Sequence, residues 1–362
     1  MDAPRGATAW LKVAALILLA TIAAGAASCR LQRGYVTLFG SGSTFVQPAM
    51  VAWIRGFERM HPSVRIDYAG GGSGKGQQDI ISGKVDFACS DPPMKAAVHG
   101  SGGGFLQFPV ILGAVVVVYN IPGFHGHLNL TGRVLAEIYL GKVRYWDDPR
   151  ILRLNPALRG VLPHKPIIAV HRSDASGTTE IFTLFLYKSS SGIWPRSLVG
   201  KVIEWPVDRA GRGLGELGNP GVASAIVSTP YSIGYLEWSY AIDKGLPVAA
   251  IENGAGRFTL PSREGIERAY ASLKPPEPTG DWTGYVYNVI YSSDPESYPI
   301  VGQTFMIVPL HIRDKAKCIA LKEFIGYIAG PGQGLVPRGY APLPDVLRMR
   351  ALEAASMIKC GG

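Results

Sequence analysis

Residues 171–180, HRSDASGTTE, bring an arginine, an aspartate, two serines, two threonines and a glycine into one short stretch. The apolar run before it, IIAV, predicts a buried strand, and the apolar run after it, IFTLFL, predicts a buried helix. Hydroxyl groups, a guanidinium and the free amides of a helix N-terminus are together suited to hold an anion. Serine, threonine and aspartate are also ordinary helix N-caps, so capping remains the alternative for one such stretch.

Three more stretches repeat this order of a strand, small hydroxyl-bearing residues and a helix. They are GSGSTF (40–45), GGGSGKG (70–76) and CSDPP (89–93). Capping would explain any one of them, but four in one chain favour a single oxyanion site to which several helix N-termini contribute. The second stretch has neither the GxxxxGKS/T nor the GxGxxG spacing, so the sequence does not predict a nucleotide site.

Predicted strands alternate with predicted helices, which indicates an α/β fold with mixed, mostly parallel sheets flanked by helices. The strands are expected at 35–40, 64–70, 85–91, 108–120, 167–170, 231–241 and 305–310. The helices are expected at 48–60, 77–83, 135–141, 181–187 and 316–330. Because ligands bind beyond the carboxyl ends of strands in such sheets, the four polar stretches stand where a site is expected.

The composition limits the class of protein. With 362 residues and 47% apolar content the chain is long enough for two domains, and 17% charged residues exclude a disordered chain. The net charge of +9 is spread along the chain without a basic run interleaved with aromatics, so no nucleic-acid partner is predicted. Attraction for small anions is compatible with that charge.

The first 29 residues predict export. Arg5 and Lys12 precede an apolar run at 13–27, which is short for a membrane span and typical of a secretory signal. The stretch AAGAASC resembles a lipobox, which makes Cys29 a lipidation candidate. Plain signal cleavage and an uncleaved anchor are the alternatives, and all three place the mature chain outside the cytoplasm.

The remaining cysteines have no zinc-binding spacing, and neither a metal nor a cofactor is predicted. Cys89 lies in an apolar stretch and is expected to be a buried thiol. Cys318 and Cys360 lie near the C-terminus, and an exported location permits a disulfide between them. Asn129 begins NLT, a weak N-glycosylation motif whose alternative is a plain loop.

Six blocks in order resemble the signature blocks of the PstS-type phosphate-binding protein of the phosphate ABC importer. They are LFGSGSTFVQPAM, YAGGGSGKGQQDIISGKVDFACSDPPM, FPVILGAVVVVYNIPG, LAEIYLGKVRYWDDPRILRLNP, HRSDASGTTEIFT and YSIGYLEWSYA. The resemblance implies a two-lobed, type II periplasmic-binding-protein fold with the ligand in the interlobe cleft. It divides the chain into a signal or anchor at 1–29, lobe I at 30–110 and 276–362, and lobe II at 111–275, with hinges near 108–114 and 272–278.

The resemblance also implies the residues that hold phosphate. They are Thr44, Phe45, Ser73, Asp91, Arg172, Ser176, Gly177 and Thr178. Asp174 is implied to pair with Arg172, although the residues alone leave a surface ion pair as the alternative. A carboxylate facing an anion makes sense only if Asp91 accepts the hydrogen that phosphate retains at neutral pH and sulfate lacks.

Two departures from the family pattern stand out. Lys75 replaces the small residue usual in its loop, and it is expected either to face solvent or to add attraction for the anion. The stretch 211–221 differs in length from the usual pattern, so no site residue is assigned there.

The implied function is that of an exported binding protein, not an enzyme. It would capture inorganic phosphate at the outer face of the cytoplasmic membrane or in a periplasm-like space and deliver it to the permease and ATPase of an ABC importer. A phosphatase-like enzyme is one alternative, because His171, Asp174 and Ser176 have the residue types of a nucleophilic triad, although no GxSxG occurs. A binder of sulfate or molybdate is the other. The close histidine pair of HGH (125–127) is expected to face solvent.

Overall fold

The computed structural model describes residues 35–95 and 104–361. The strands are β1 Val36–Gly42, β2 Val64–Gly70, β3 Phe87–Ser90, β4 Phe105–Asn120, β5 Asn129–Leu130, β6 Ile168–Arg172, β7 Gly213–Glu216, β8 Ser232–Glu237, β9 Ala250–Glu252, β10 Phe258–Thr259, β11 Val301–Pro309, β12 His311–Ile312, β13 Tyr340–Ala341 and β14 Lys359–Cys360. The α-helices are α1 Gln47–Met60, α2 Ser73–Ile81, α3 Gly132–Tyr139, α4 Pro149–Leu154, α5 Gly177–Ser189, α6 Pro206–Arg209, α7 Gly218–Ser228, α8 Trp238–Lys244, α9 Arg263–Tyr270, α10 Thr283–Val289, α11 Lys315–Ala329 and α12 Asp345–Met357. Short 3-10 helices span Pro156–Leu158, Arg196–Leu198 and Pro331–Leu335.

The long strand β4 joins the two halves of one large mixed sheet. The strand order is β2-β1-β3-β11-β4-β8-β6-β7, and β13 pairs with β4 at its side. The first part of β4, Phe105–Ala114, pairs with β11, and its last part, Val115–Asn120, pairs with β8, both antiparallel. We call the side with β1, β2, β3 and β11 the first half, and the side with β6, β7 and β8 the second half. The β-branched run in β4 is buried along nearly its whole length because it crosses both halves.

The carboxyl ends of the parallel strands carry the polar stretches in both halves. In the first half β1 runs parallel to β2 and β3, and in the second half β6 runs parallel to β7 and β8. The four stretches follow β1, β2, β3 and β6, as the sequence predicted. The two sets of loops meet, since the amide of Gly74 donates to the carbonyl oxygen of Ala175 at 2.9 Å.

An aromatic cluster fixes helix α5 on the second half. The ring of Phe182 stacks on Tyr235 with centroids 4.3 Å apart, and Tyr139 contacts Phe182 at 5.2 Å and Trp205 at 5.1 Å. Each of these rings is buried and adds contact energy beyond the area it removes from water. The cluster therefore holds the N-terminus of α5 in a fixed position at the edge of the sheet.

Most predicted elements are confirmed, and two differ in a way that concerns the site. The helix expected from residue 77 begins at Ser73, inside the glycine-rich stretch, because Gly72 makes the turn with φ +88. The strand expected over 231–241 ends at Glu237, and helix α8 follows at once, with the Glu237 side chain accepting from the amide of Ser239 as its cap.

The C-terminal segment is tied to α11 by a disulfide. Cys318 and Cys360 are bonded with their Cα atoms 5.5 Å apart, and Cys89 is a buried free thiol, as expected. Within 35–95 and 104–361 no helix is both long and apolar enough to cross a membrane. The proposed signal or anchor at 1–29 and the lipidation candidate Cys29 lie outside the described residues.

Candidate functional site

The loops of the first and second halves pack directly against each other. The ammonium of Lys201 in the second half donates to the side-chain oxygen of Gln77 in the first half at 2.6 Å. The hydroxyl of Tyr240 donates to the carbonyl oxygen of Thr44 at 2.7 Å, again from the second half to the first. Together with the bond from Gly74 to Ala175, these contacts describe a closed arrangement in which the polar loops are buried.

Two glycines allow this close approach. A Cβ atom on Gly177 would lie 2.4 Å from the hydroxyl oxygen of Ser73 and 2.5 Å from Oδ2 of Asp91. A Cβ atom on Gly72 would lie 2.4 Å from Oδ2 of Asp174. Real side chains do not come this close, so the glycines of one half make room for polar groups of the other.

Asp91 is a buried carboxylate. Its Oδ1 accepts two hydrogen bonds from the protein, whereas its Oδ2 accepts only one from a side chain. Its Oδ1 accepts from the hydroxyls of Ser43 at 2.6 Å and Thr304 at 2.8 Å. Its Oδ2 accepts from the hydroxyl of Ser73 at 3.2 Å and faces Gly177. Because a carboxylate oxygen has two lone pairs, Oδ2 can accept one more hydrogen from a group bound between the halves.

Burial raises the pKa of Asp91 to about 6, while the hydrogen bonds from Ser43 and Thr304 and the charge of Arg172 act in the opposite direction. The carboxyl therefore remains mostly ionised at neutral pH. In that state it can only accept hydrogen bonds, so a ligand facing it must carry a hydrogen.

Arg172 is a buried cation paired with Asp174. Its Nε donates to Oδ1 of Asp174 at 2.6 Å, and its Nη2 donates to Oδ2 of the same carboxylate. The third nitrogen, Nη1, lies 3.4 Å from the hydroxyl of Thr178. Only 4% of Arg172 is exposed, so the alternative of a surface ion pair is wrong. This bidentate ion pair fixes the plane of the guanidinium group and offsets most of its charge.

The N-terminus of α5 combines a cap with free amides. The hydroxyl oxygen of Ser176 accepts from the amide of Thr179 at 3.1 Å, which makes Ser176 the N-cap. The first amides of a helix have no partner within the helix, and the hydroxyl hydrogen of Ser176 can still be donated. Ser176 can therefore cap this helix and also bind an anion, so the two alternatives predicted for residues 171–180 do not exclude each other.

The loop after β1 is held from the second half. The hydroxyl oxygen of Thr44 accepts from both the backbone amide and the side-chain amide of Asn219, each at 3.1 Å. With both lone pairs used, that hydroxyl can donate its hydrogen to a ligand. The amide of Phe45 donates to the hydroxyl oxygen of Ser43 at 2.9 Å, and its ring is fully buried.

The structure thus brings the predicted ligand residues of both halves into one buried cluster. Lys75 is not part of it, because its ammonium pairs with Asp79, whose carboxylate also accepts from Ser41 at 2.8 Å. The expectation that Lys75 faces solvent is confirmed, since about half of its side chain is exposed while its ammonium pairs with Asp79.

The nucleophilic triad considered from the sequence is not assembled. Nε2 of His171 lies 2.8 Å from Asp208, and Nδ1 lies 3.1 Å from the carbonyl oxygen of Arg172. The imidazole also stacks on Trp205 at 5.0 Å. Neither ring nitrogen is directed at Ser176, so the interpretation of His171 as its base is wrong. His125 and His127 are exposed, as expected.

The comparison with known proteins agrees with this geometry. The family described as a PBP superfamily domain matches residues 27–331. The phosphate-binding protein PstS of Methanocaldococcus jannaschii is 42% identical over 333 residues, which cover 88% of this chain and 85% of that protein. This chain belongs to the PstS family of phosphate-binding proteins. A further PstS, from Pasteurella multocida, is 36% identical over 85% of this chain and 87% of its own.

A solved structure shows that the PstS-family chain has the expected fold. The phosphate-binding protein of Stenotrophomonas maltophilia superposes with a TM-score of 0.63 over 88% of this chain and 93% of its own, at 17% identity. At that identity the likeness concerns the fold alone. The predicted two-lobed periplasmic-binding-protein fold is confirmed.

Several residues of this buried cluster were missed by sequence reasoning. Ser43 and Thr304 hold Asp91, Tyr240 holds the carbonyl of Thr44, and Asn219 links Thr44 to Thr178. Ser43 lies in the first polar stretch and could have been suspected from it. Asn219 lies in 211–221, where no site residue was assigned. It is nevertheless fully buried and bonds from the second half to Thr44 of the first half.

Proposed function

We propose that this PstS-family protein binds one inorganic phosphate ion between its two halves. The residues that hold it are Thr44, Phe45, Ser73, Asp91, Arg172, Ser176, Gly177 and Thr178. Asp174 positions Arg172 for this task. The hydroxyl and amide hydrogens of both halves supply the donors, and Asp91 supplies the acceptor.

The environment of Asp91 is the observation that carries the proposal. A site built only for a fully deprotonated oxyanion would gain nothing from a buried carboxylate beside its donors. Phosphate carries at least one hydrogen at neutral pH, and Oδ2 of Asp91 has room to accept it. Sulfate has no such hydrogen and would leave the carboxylate unmatched, which costs about 1–3 kcal/mol or more for a charged group.

The charges of the site favour binding by neutral dipoles. The guanidinium of Arg172 is offset by Asp174, and this carboxylate also accepts from the amide of Gly218 at 3.2 Å. The remaining donors are hydroxyls and the amides at the start of α2 and α5. Such dipoles are already oriented in a dry site, so they can hold an anion without a large net positive charge.

Binding is coupled to closure of the two lobes. We assign lobe I to 30–110 and 276–362 and lobe II to 111–275, with hinges near 108–114 and 272–278. Each lobe supplies about half of the donors, so only the closed form offers the whole set. The contacts of Lys201 with Gln77 and of Tyr240 with Thr44 support this assignment, because they join the two lobes directly.

The protein is further proposed to act outside the cytoplasm and to deliver phosphate to the permease and ATPase of an ABC importer. The relatives named phosphate-binding protein PstS support this role. The apolar run at 13–27 supports export, and Cys29 would provide a lipid tether.

Calorimetric titration of the purified protein with phosphate and with sulfate tests the proposal. We expect one phosphate per chain and sulfate binding weaker by at least about a hundredfold, since the unmatched carboxylate and the lost hydrogen bond act together. Equal affinities would contradict the role of Asp91, and no phosphate binding would contradict the function. Turnover of a phosphate ester that disappears on Ser176→Ala would favour the phosphatase-like alternative.

A further inference from the structure

Four buried oxygen atoms meet where β13 passes the start of α8. The hydroxyl of Tyr340 contacts the carbonyl oxygen of Phe45, lies 2.9 Å from Oε2 of Glu237, and lies 3.2 Å from the hydroxyl of Ser239. The hydroxyl of Ser239 also contacts Oε2 of Glu237. All four residues are buried, and Glu237 has no exposed surface.

The number of hydrogens available decides how these oxygens can be arranged. Tyr340 and Ser239 each have one hydroxyl hydrogen, and the carbonyl of Phe45 can only accept. If Tyr340 donates to Phe45 and Ser239 donates to Glu237, no hydrogen remains for the 2.9 Å contact between Tyr340 and Glu237. An ionised Glu237 would then face a lone pair of the tyrosine oxygen. A hydrogen on Oε2 of Glu237 supplies the missing donor and satisfies every contact shorter than 3.2 Å.

The described groups that face Glu237 are neutral or negatively charged. The groups that face it are Ser239 and Tyr240 from α8, Tyr340 from β13 and, at longer range, Asp91, whose negative charge disfavours ionisation. Within the described part of the chain, Glu237 makes no ion pair, and Arg172 is occupied by Asp174. Burial accordingly raises the pKa of Glu237 to about 8.

Glu237 is connected to both anion-binding residues of the first loop. Tyr340 links it to the carbonyl of Phe45, and the side-chain oxygen of Asn219 accepts from the amide of Glu237 at 3.0 Å. Asn219 in turn donates to Thr44. Gly339 holds β13 in place, because its φ of +103 suits glycine and a Cβ there would lie 2.6 Å from the amide nitrogen of Ser239.

We propose that Glu237 is a neutral acid in the closed protein and that it donates its hydrogen to the oxygen of Tyr340. Tyr340 then donates its own hydrogen to the carbonyl of Phe45, which positions the Thr44–Phe45 loop against the second half. Glu237 is a positioning residue and does not touch the anion. The inference rests on the proposed function, because phosphate is used to hold the protein closed. The protonation state of Glu237 is a property of the closed chain itself.

The direction of the pH effect follows from the raised pKa. A carboxyl that is protonated in the closed form and more exposed in the open form takes up a proton on closing. Closure is therefore fully supported only below the lower pKa of the open form, loses support progressively as the pH rises above it, and has lost that support once the pH has passed about 8. Because phosphate selects the closed form, its apparent affinity declines over the same range.

Carbon NMR of protein labelled at the glutamate carboxyl carbons, saturated with phosphate to hold it closed, tests the first part. The Glu237 signal, assigned by its loss in Glu237→Gln, is expected to report a neutral acid at about pH 6.5 and to titrate near pH 8. A carboxylate signal at about pH 6.5 would overturn the proposal. Glu204→Gln is the matched control, since Glu204 is exposed and pairs with Arg209.

Phosphate affinity measured from about pH 6.5 to about pH 9 tests the second part. The amide of Glu237→Gln can donate to Tyr340 but cannot ionise, so the ratio of wild-type to variant dissociation constants is expected to rise several-fold over this range. Phosphate's own ionisation cancels in the ratio. Tyr340→Phe should weaken binding throughout, because the carbonyl of Phe45 loses its partner. A ratio that stays flat would overturn the proposal, and absence of phosphate binding in the wild type would contradict the proposed function.

Discussion

Asp91 is costly to bury as a charged group, but it lets the site distinguish between anions. Its carboxyl is buried and its pKa is raised, which disfavours the charged form, yet three hydroxyls are arranged to support that form. The protein keeps an acceptor at a place where an anion would otherwise meet only donors. Such an arrangement is useful when the ligand carries a hydrogen and competing anions do not.

Replacing Asp91 by asparagine should narrow the preference for phosphate over sulfate. The amide would present hydrogens where the carboxylate presents a lone pair, so phosphate should lose about 1–3 kcal/mol of binding free energy, or roughly fivefold to 150-fold in affinity. Sulfate should bind better than to the wild type. Calorimetric titration with both anions measures these changes.

Asp208→Asn is the control for this substitution, because Asp208 contacts His171 and lies outside the cluster. Unchanged selectivity in Asp91→Asn would remove Asp91 from the recognition of the ligand. A change of selectivity in Asp208→Asn would show that the effect does not depend on the cluster.

The site residues that lie within short motifs could be predicted from the sequence. Those that reach the site from distant segments could not. Arg172, Asp174 and Ser176 stand within one loop, and their roles could be proposed from it. Thr304 and Asn219 reach the site from β11 and α7, which are far away in the sequence. Nothing local marks a threonine in a buried strand as a partner of Asp91.

Among the elements, α2 and α5 determine the shape of the site. Both begin at the carboxyl end of a strand and direct their N-termini at the same place from opposite halves. Their first residues, Ser73 and Gly177, approach so closely that no side chain fits at position 177. The closeness of two helix N-termini would be unfavourable without an anion or carboxylate between them, and Asp91 lies there.

Replacing Gly177 by alanine should block closure while leaving each lobe folded. The added methyl group would lie 2.4 Å from the Ser73 hydroxyl and 2.5 Å from Asp91, so the helix ends must separate. Phosphate affinity should fall by at least about tenfold, a loss of roughly 1.4 kcal/mol. Titration gives the affinity, and denaturant unfolding shows whether stability is retained.

Gly326→Ala provides a matched control in α11, where an added methyl group meets no atom within 4 Å. It should preserve affinity and raise the free energy of unfolding by up to about 1 kcal/mol, because alanine is the better helix former. If Gly177→Ala binds phosphate as tightly as the wild type, the closed contact between the helix ends is not required for binding.

The order of strands and helices was largely predictable, because the spacing of apolar residues indicates each element and the glycine-rich stretches indicate the turns between them. The pairing of β4 with β11 on one part and β8 on the other was not, because a continuous apolar run carries no sign of which strands will cover it. The strand predicted over 231–241 shows the same limit. Its last residues, WSYA, are compatible with a strand or a helix, and the side chain of Glu237 caps the helix that forms there.

For the molecule as a whole, stability and binding are located in different places. The disulfide between Cys318 and Cys360 closes a segment of 42 residues that contains most of α11 and all of α12. It joins α11 to β14, which pairs with β12. None of these elements contributes a residue to the proposed phosphate site.

Removing both cysteines should therefore reduce stability and spare binding. The double variant Cys318→Ala/Cys360→Ala is expected to lose about 2–4 kcal/mol of unfolding free energy, as is typical for a bridge that closes a loop of this length. Denaturant unfolding measures this loss, and phosphate titration at low temperature should give an affinity within about twofold of the wild type. A large loss of affinity in a variant that remains folded would show that the disulfide is needed to hold Tyr340 in the closed arrangement.

The crystal structure of the protein with phosphate bound is the most direct measurement of the proposed site. We predict that one ion lies between the lobes, with one oxygen within hydrogen-bond distance of Asp91 Oδ2 and the others reached by groups of both halves, including Thr44 and Ser176. An ion bound by one half alone, or bound with Asp91 directed away from it, would contradict the proposal.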